Sequence, residues 1–131
     1  MIINNFDPQG HEFKFHFTED TCYEMKTGVC ALEAFKDDLN ISFDKYCKKK
    51  NYNRCVRAYL SLKADRVMYE GDRYNQLVKH KCGHFEFGDG QHRTCVALKM
   101  NMLINVEIYE NENDDRCQIC KNKTTLIKEV L

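Results

Sequence analysis

The stretch FEFGDGQHRTCVALKMNMLINVEI, Phe85 to Ile108, holds the residue types and spacings best suited to chemistry. Gly88 and Gly90 bracket Asp89, and Gln91, His92, Arg93 and Thr94 follow. The pattern reads as strand, glycine turn, helix and second strand. His92 and Arg93 then stand where the helix begins, although cations oppose the partial positive charge of a helix N-terminus. An anion would resolve the conflict. First-turn N–H groups have no intrahelical acceptor, and glycines let a ligand approach the backbone closely. Arg93 can grip phosphate oxygens in a fork, and His92 can add a donor or move a proton. Asp89 is a carboxylate that can hold Mg²⁺ beside a phosphate. The expected phosphate-binding set is Gly88, Gly90, Gln91, His92, Arg93 and Thr94, with Asp89 and His92 as the catalytic candidates. The competing reading is a solvated helix start with an ordinary Asx turn at Asp89.

Cysteines form the second chemical signal. The chain has 8 in 131 residues. KHKCGHF and RCQICK contain C-x-H and C-x-x-C, spacings that let two side chains reach one tetrahedral ion. Cys82, His84, Cys117 and Cys120 are the expected Cys₃His structural zinc site, with His80 or Cys95 as substitute ligands. It would tie the strand that begins near Phe85 to the chain beyond the last strand. If those two strands ran parallel, the loop NENDDR would have to return along the sheet, and it reaches only about 20 Å extended. The alternative is a small core cysteine and an unrelated turn. A redox C-x-x-C is a poorer fit, because no thioredoxin-like βαβ unit precedes it. Cys22, Cys30, Cys47 and Cys55 fall on expected helices and read as buried thiols, with a second metal site as the other reading. Cys95 lies a turn into its helix, on the packing side.

Lys48, Lys49 and Lys50 are followed by Arg54 and Arg57, with Tyr46, Tyr52 and Tyr59 interleaved. Such a run suits a nucleic-acid backbone. It equally suits a solvated helix end, where cations favour the dipole. His11 and His16 have no motif around them and read as surface residues.

The elements that must position these groups follow from periodicity. EFKFHF alternates Phe13, Phe15 and Phe17 against Lys14 and His16, the pattern of a half-buried strand. TEDTCYEMKTG reads as a short helix stopped at Gly28, VCALEAFKDDL as a second, and SFDKYCKKK as a third capped by Ser42. NRCVRAYLSLKADRVMY is the strongest helix, with Val56, Tyr59, Leu60, Lys63 and Val67 on one face. GDRYNQLVKHK reads as another short helix ended by Gly83. HFEF and INVEIY read as strands around the helix TCVALKM, and TTLIKEVL as a short terminal strand or helix. The fold class is therefore α+β: a mostly helical part over 1–81, a strand–loop–helix–strand core over 82–110, and a CxxC tail over 111–131.

Twenty basic and twenty acidic residues cancel, so the chain lacks the footprint of a non-specific DNA binder. The first residues, MIINNFDPQGHEF, lack a basic region followed by an apolar run. No secretory signal, membrane span or membrane partner is expected, and a reducing cytoplasmic compartment favours metal ligands over disulfides.

The segment FGDGQHRTCVALKMNMLINVEI resembles the nucleotide-binding core of the ParB/sulfiredoxin superfamily. That family carries a strand, a motif like D-G-x-H-R-x-x-A, a helix and an IPV-type strand. Asp89, Gly90, His92, Arg93 and Ala97 match in order and spacing, and INVEI supplies the strand, over roughly residues 82–110. The resemblance implies a compact α+β domain that binds ATP or CTP, with Mg²⁺, at this loop. Where the sulfinic-acid repair enzymes carry their cysteine nucleophile this chain has Gln91, which argues against reductase chemistry. The segregation proteins' helix-turn-helix domain has no counterpart. The expectation is a nucleotide- or phosphate-binding protein with phosphotransfer or nuclease-like phosphodiester chemistry, and with DNA as a candidate partner. The alternative is a non-catalytic, zinc-stabilised adaptor or inhibitor of phage or mobile-element type that binds protein or nucleic acid.

Overall fold

A computed structural model describes residues 1–64, 74–111, 117, 119 and 120. Its elements in chain order are β1 (Ile2–Phe6), α1 (Tyr23–Thr27), α2 (Ala31–Ala34), a 3₁₀ turn (Lys36–Asn40), α3 (Phe43–Cys47), α4 (Arg54–Lys63), β2 (Asn75–His80), β3 (Phe85–Asp89), α5 (Gln91–Met100) and β4 (Ile104–Asn111). The four strands form one mixed sheet in the order β1-β4-β2-β3. β2 runs parallel to β4 and antiparallel to β3, and β1 closes the other edge antiparallel to β4.

Three differences from the expected elements have physical causes. The helix expected over GDRYNQLVKHK is strand β2 where it is described. Only Leu77 and Val78 are aliphatic there, so the segment has no local period. Pairing with β3 on one side and β4 on the other decides its conformation, and neither partner is local. β1 carries no apolar alternation and is held by its partner: Met1 and Ile108 exchange two backbone bonds. Phe13, Phe15 and Phe17 do share a face, stacking through Phe87 and Phe85. Their backbone, however, makes an isolated parallel bridge at Phe13 rather than a strand.

Local signals set the helices. Gly28 ends α1 in the left-handed region (φ 85°). Ser42 caps α3 by accepting the Lys45 amide, and Asn53 caps α4 by accepting from Cys55 and Val56. Val56 and Leu60 of α4 are buried with Phe43 and Tyr46. Ala58 packs with Leu32 and with Val96 of α5. Leu77, Phe85, Ala97, Ile104, Val106 and Ile108 form the core shared by the sheet and α5. The expected face residue Val67 and the segment TTLIKEVL lie outside the described residues.

Among the described glycines, Gly90 in the turn before α5 has the least room. Gly90 has φ 90°, and a Cβ there would stand 2.1 Å from Oδ1 of the buried Asn75. Gly90→Ala therefore combines left-handed strain with an overlap that the buried amide cannot vacate. It should cost about 3 kcal/mol or more. Gly28→Ala, with φ 85° but open space around it, should cost only about 1 kcal/mol. Urea midpoints of the two variants check the contrast, and equal losses would show that Asn75 does not confine the turn.

Candidate phosphate cleft and metal centre

The hairpin of β2 and β3 carries one candidate site at each end. At the far end, where β3 gives way to α5, Phe87 to Arg93 form one wall of a cleft of about 590 Å³. The opposite wall comes from Arg54, Arg57, Ala58 and Ser61 of α4, and His16, Thr18 and Thr21 complete it. Among the described residues, three guanidinium groups, Arg54, Arg57 and Arg93, line the cleft with one carboxylate, Asp89. The basic run expected to meet nucleic acid divides here. Arg54 and Arg57 line the cleft, while Lys48, Lys49 and Lys50 do not, and Lys49 pairs with Asp38 at 3.1 Å.

The turn residues have distinct settings. Asp89 Oδ1 accepts the Gly90 amide at 2.8 Å, the local turn bond that the simpler reading also requires. Gln91 is clamped to the backbone of His16: its Oε1 accepts the His16 amide at 2.8 Å. Thr94, expected among the phosphate contacts, is fully buried, and its hydroxyl donates to the Gly90 carbonyl at 3.0 Å. It lies outside the cleft lining and serves the turn instead, because a helical threonine bonds readily to the preceding turn.

His92 is not a cation in this setting. Burial, with the Arg54 guanidinium next, lowers its pKa from 6.5 to about 4. Arg54 lies 3.5 Å from Nε2. A guanidinium only donates, so Nε2 is the acceptor and the ring proton sits on Nδ1, 3.8 Å from Cys55 Sγ. Phe17 covers the ring at a centroid distance of 4.8 Å. Across the acid range the unfolded chain binds a proton that folded His92 refuses. The resulting stability is complete above pH 6.5 and is lost as pH falls toward 4. His92→Gln should flatten this part of the acid transition, by on the order of 1–2 kcal/mol after discounting for its partial exposure. Chemical unfolding of both proteins at pH 7.5, 5.5 and 4.5, values chosen for this assay, would reveal it, and parallel losses would refute it.

The near end of the hairpin holds the second site. Cys82, His84, Cys117 and Cys120 bring their ligand atoms within 4.8 Å of one another. His84 Nδ1 stands 3.3, 3.4 and 3.2 Å from the sulfurs of Cys82, Cys117 and Cys120, and the Cys82 and Cys117 sulfurs are 3.5 Å apart. Bond lengths of about 2.3 Å to sulfur and 2.0 Å to nitrogen make tetrahedral edges of roughly 3.5–3.8 Å, so the spacing fits one ion. The expected obstacle does not arise. β3 runs opposite to β4, and His80 pairs with Asn111, so β4 ends beside the Cys82 turn.

The surroundings also suit a cation. Glu12 Oε2 lies 2.8 Å from His84 Nε2, which holds that proton and leaves Nδ1 as the ligand. The backbone N–H of His84 holds the Cys82 thiol below its ordinary range. Cys120, hydrogen bonded to Cys82, is pushed up to about 12. His80, named as a substitute ligand, is buried and turns its Nε2 to Glu86 Oε2 at 2.6 Å. Cys95 lies in α5 and lines a different cavity.

Protein purified without added zinc should retain one equivalent of metal. Cys117→Ser and Cys120→Ser should lose it and melt roughly 10 °C lower or more. Glu12→Gln should keep the ligands but weaken affinity roughly 10–100-fold. Cys47→Ser, packed in the Phe43 cluster, should behave as the parent. Metal-free protein with unchanged melting would reduce the four residues to an ordinary turn contact.

No protein-family model matches the chain, and neither a curated protein nor a solved structure matches it. Among the described residues no helix is long and apolar enough to cross a membrane. Sequence reasoning missed Asn75, which confines Gly90, and the part His16, Thr18 and Thr21 take in the cleft. None of them carries a local motif: Asn75 reaches Gly90 across the β2–β3 hairpin, and His16, Thr18 and Thr21 come from a part of the chain far from the turn in sequence.

Proposed function

We propose that this chain is a nucleotide- or phosphate-binding domain of the ParB/sulfiredoxin kind, with its ligand's phosphates in the cleft between the 88–93 turn and α4. The observation that carries the reading is the make-up of that cleft: among the described residues, three arginines from two elements and one carboxylate line it beside the first turn of α5. Same-sign charges gathered on a helix N-terminus cost stability unless an anion joins them. The resemblance around Asp89, Gly90, His92 and Arg93 points to the same ligand class. Arg93 and Arg54 hold the phosphoryl oxygens, the glycine turn lets them approach the backbone, and Asp89 faces the same space as the ligand for Mg²⁺. A phosphate would draw Arg54 from His92 Nε2 and return that nitrogen to proton exchange, the role a phosphotransfer or phosphodiester reaction needs. Gln91 cannot act as a covalent nucleophile, so any chemistry depends on Asp89 and His92. Bound Zn²⁺ at Cys82, His84, Cys117 and Cys120 is structural in this reading.

A thermal-shift panel of ATP, CTP, GTP and pyrophosphate, with and without Mg²⁺, tests it most directly. At least one ligand should raise the melting temperature. Arg93→Ala and Arg54→Ala should each weaken its binding roughly tenfold or more, the loss of one charge-assisted contact. Lys50→Ala, outside the cleft, should leave it unchanged. Asp89→Asn should remove any Mg²⁺-dependent turnover while the fold persists. Identical titrations for parent and arginine variants would sink the site. Binding by none of the four would favour the zinc-stabilised adaptor, with protein or nucleic acid as its partner.

A further inference from the structure

The basic surface does not end at the arginines of the cleft. Arg54 and Arg57 stand three residues apart on α4, so both side chains leave the same side of the helix. Arg57 lines the cleft and also lies over the Tyr52 ring, 4.6 Å from its centroid. Tyr52 comes just before the Asn53 cap of α4 and is 46% exposed. Lys48 and Lys50, both exposed, lie in the connection that joins α3 to α4. Lys49 between them is taken by Asp38 at 3.1 Å.

Two properties separate this surface from an ordinary solvated helix end. First, its charge is of one sign. The run KKKNYNRCVR, residues 48–57, holds five cations and no carboxylate. The helix dipole favours the lysines at the end of α3, but it does not favour the arginines that open α4. Second, an exposed aromatic ring is set among the cations, with a guanidinium already against it. Recognition of phosphate alone has no use for such a ring. A nucleobase does, because it stacks on aromatic side chains whatever its identity, and a neighbouring arginine adds to the attraction.

We infer that the ligand of the cleft is a single-stranded nucleic acid. One phosphate lies between Arg54 and Arg93, and the strand continues past Arg57 toward Lys50 and Lys48, with a base stacked on Tyr52. The inference rests on the phosphate reading of the cleft and gives that site its substrate class. A free nucleotide would fill the cleft and leave the lysines unused. A duplex fits less well, because its bases are already stacked on one another and offer Tyr52 no open face. The balanced charge of the whole chain also suits a narrow basic path better than the broad basic face that grips a duplex.

Fluorescence anisotropy with labelled oligothymidylate and oligouridylate of about 12 nucleotides, within the usual range of single-strand site sizes, tests the inference. At about 0.15 M salt at least one should bind, and more tightly than a hairpin duplex of the same length. The preference between the two names the sugar. Tyr52→Ala should weaken binding roughly tenfold, and Tyr52→Phe, which keeps the ring, should restore it. Neither should alter the thermal shift given by pyrophosphate. Replacing Lys48 and Lys50 together by alanine should lower the salt dependence by about 1 in the log–log slope. Arg93→Ala should weaken the oligonucleotide and pyrophosphate alike. Failure of both oligonucleotides to bind, while pyrophosphate or a nucleotide does, would overturn the inference and leave the phosphate reading standing. A bound oligonucleotide that ignores Arg93→Ala would take the cleft out of the path and overturn both. Tyr52→Ala equal to the parent, a duplex bound as tightly as the single strand, or poly-glutamate competing as well as the oligonucleotide would each overturn the inference, because the surface would then read charge alone.

Discussion

Strand β2 is the constraint on which the arrangement depends. It is the shared neighbour of β3 and β4, parallel to one and antiparallel to the other. Antiparallel pairing puts β3's start beside the end of β2, and parallel pairing puts β4's end there too. Cys82 and His84 therefore meet the chain that follows β4, with no return along the sheet. The same pairing sends the end of β3, and the glycine turn after it, to the opposite edge. Asn75, the first residue of β2, fills the space beneath Gly90, and its Nδ2 donates to the Asn105 carbonyl at 3.2 Å. One short strand thus separates the two sites and also shapes the turn.

The segment from Glu12 to Thr18 runs between those ends. Glu12 meets His84, Phe13 and Phe15 stack on Phe87, Phe17 covers His92, and His16 bonds Gln91. It is pinned by backbone at one end, where Phe85 donates to the Glu12 carbonyl and accepts from Lys14. Beyond that it depends on the Gln91 side chain, which bonds the His16 backbone, and on aromatic stacking. Each such pair contributes on the order of 1 kcal/mol beyond area burial, so the ladder can hold an irregular backbone without strand pairing. Metal at the Cys82 end would fix Glu12, and through this ladder bear on the wall of the cleft.

What was legible in the sequence was local. The turn, α5 and β4 follow from two glycines and two periods within 24 residues, and Ser42 and Gly28 mark their helix ends. The Cys82 group was legible because both halves are short-range spacings, although strand direction, which decides whether they meet, was not. β2 was misread because its conformation is imposed by partners. Arg54 and Arg57 were visible as charges in a basic run. That they face the glycine turn, while the lysines before them do not, depends on how α4 packs on α5 through Ala58 and Val96. That Cys22, Cys30, Cys55 and Cys95 line one small cavity was hidden for the same reason: the eight-residue gaps between paired cysteines carry no ligand spacing, and Cys95 comes from another part of the chain.

The two basic residues that open α5 are best understood from these packing relations. Burial and Arg54 deprive His92 of its charge, so the helix start does not carry two cations of its own. The positive charge has moved outward, to a guanidinium on α5 and two on α4. Arg57 lies over the Tyr52 ring at 4.6 Å, a contact that holds a cation without neutralising it. A protein seeking only stability would put carboxylates around that helix start, since they are worth up to about 1 kcal/mol each there. Among the described residues Asp89 is the one carboxylate that lines the cleft, and its Oδ1 is engaged by the Gly90 amide. Among the described residues that line the cleft, guanidinium groups outnumber carboxylates three to one, where the backbone donors of a helix meet a glycine turn. In the proposed reading, a multiply charged anion would engage the arginines and the backbone donors of that turn together.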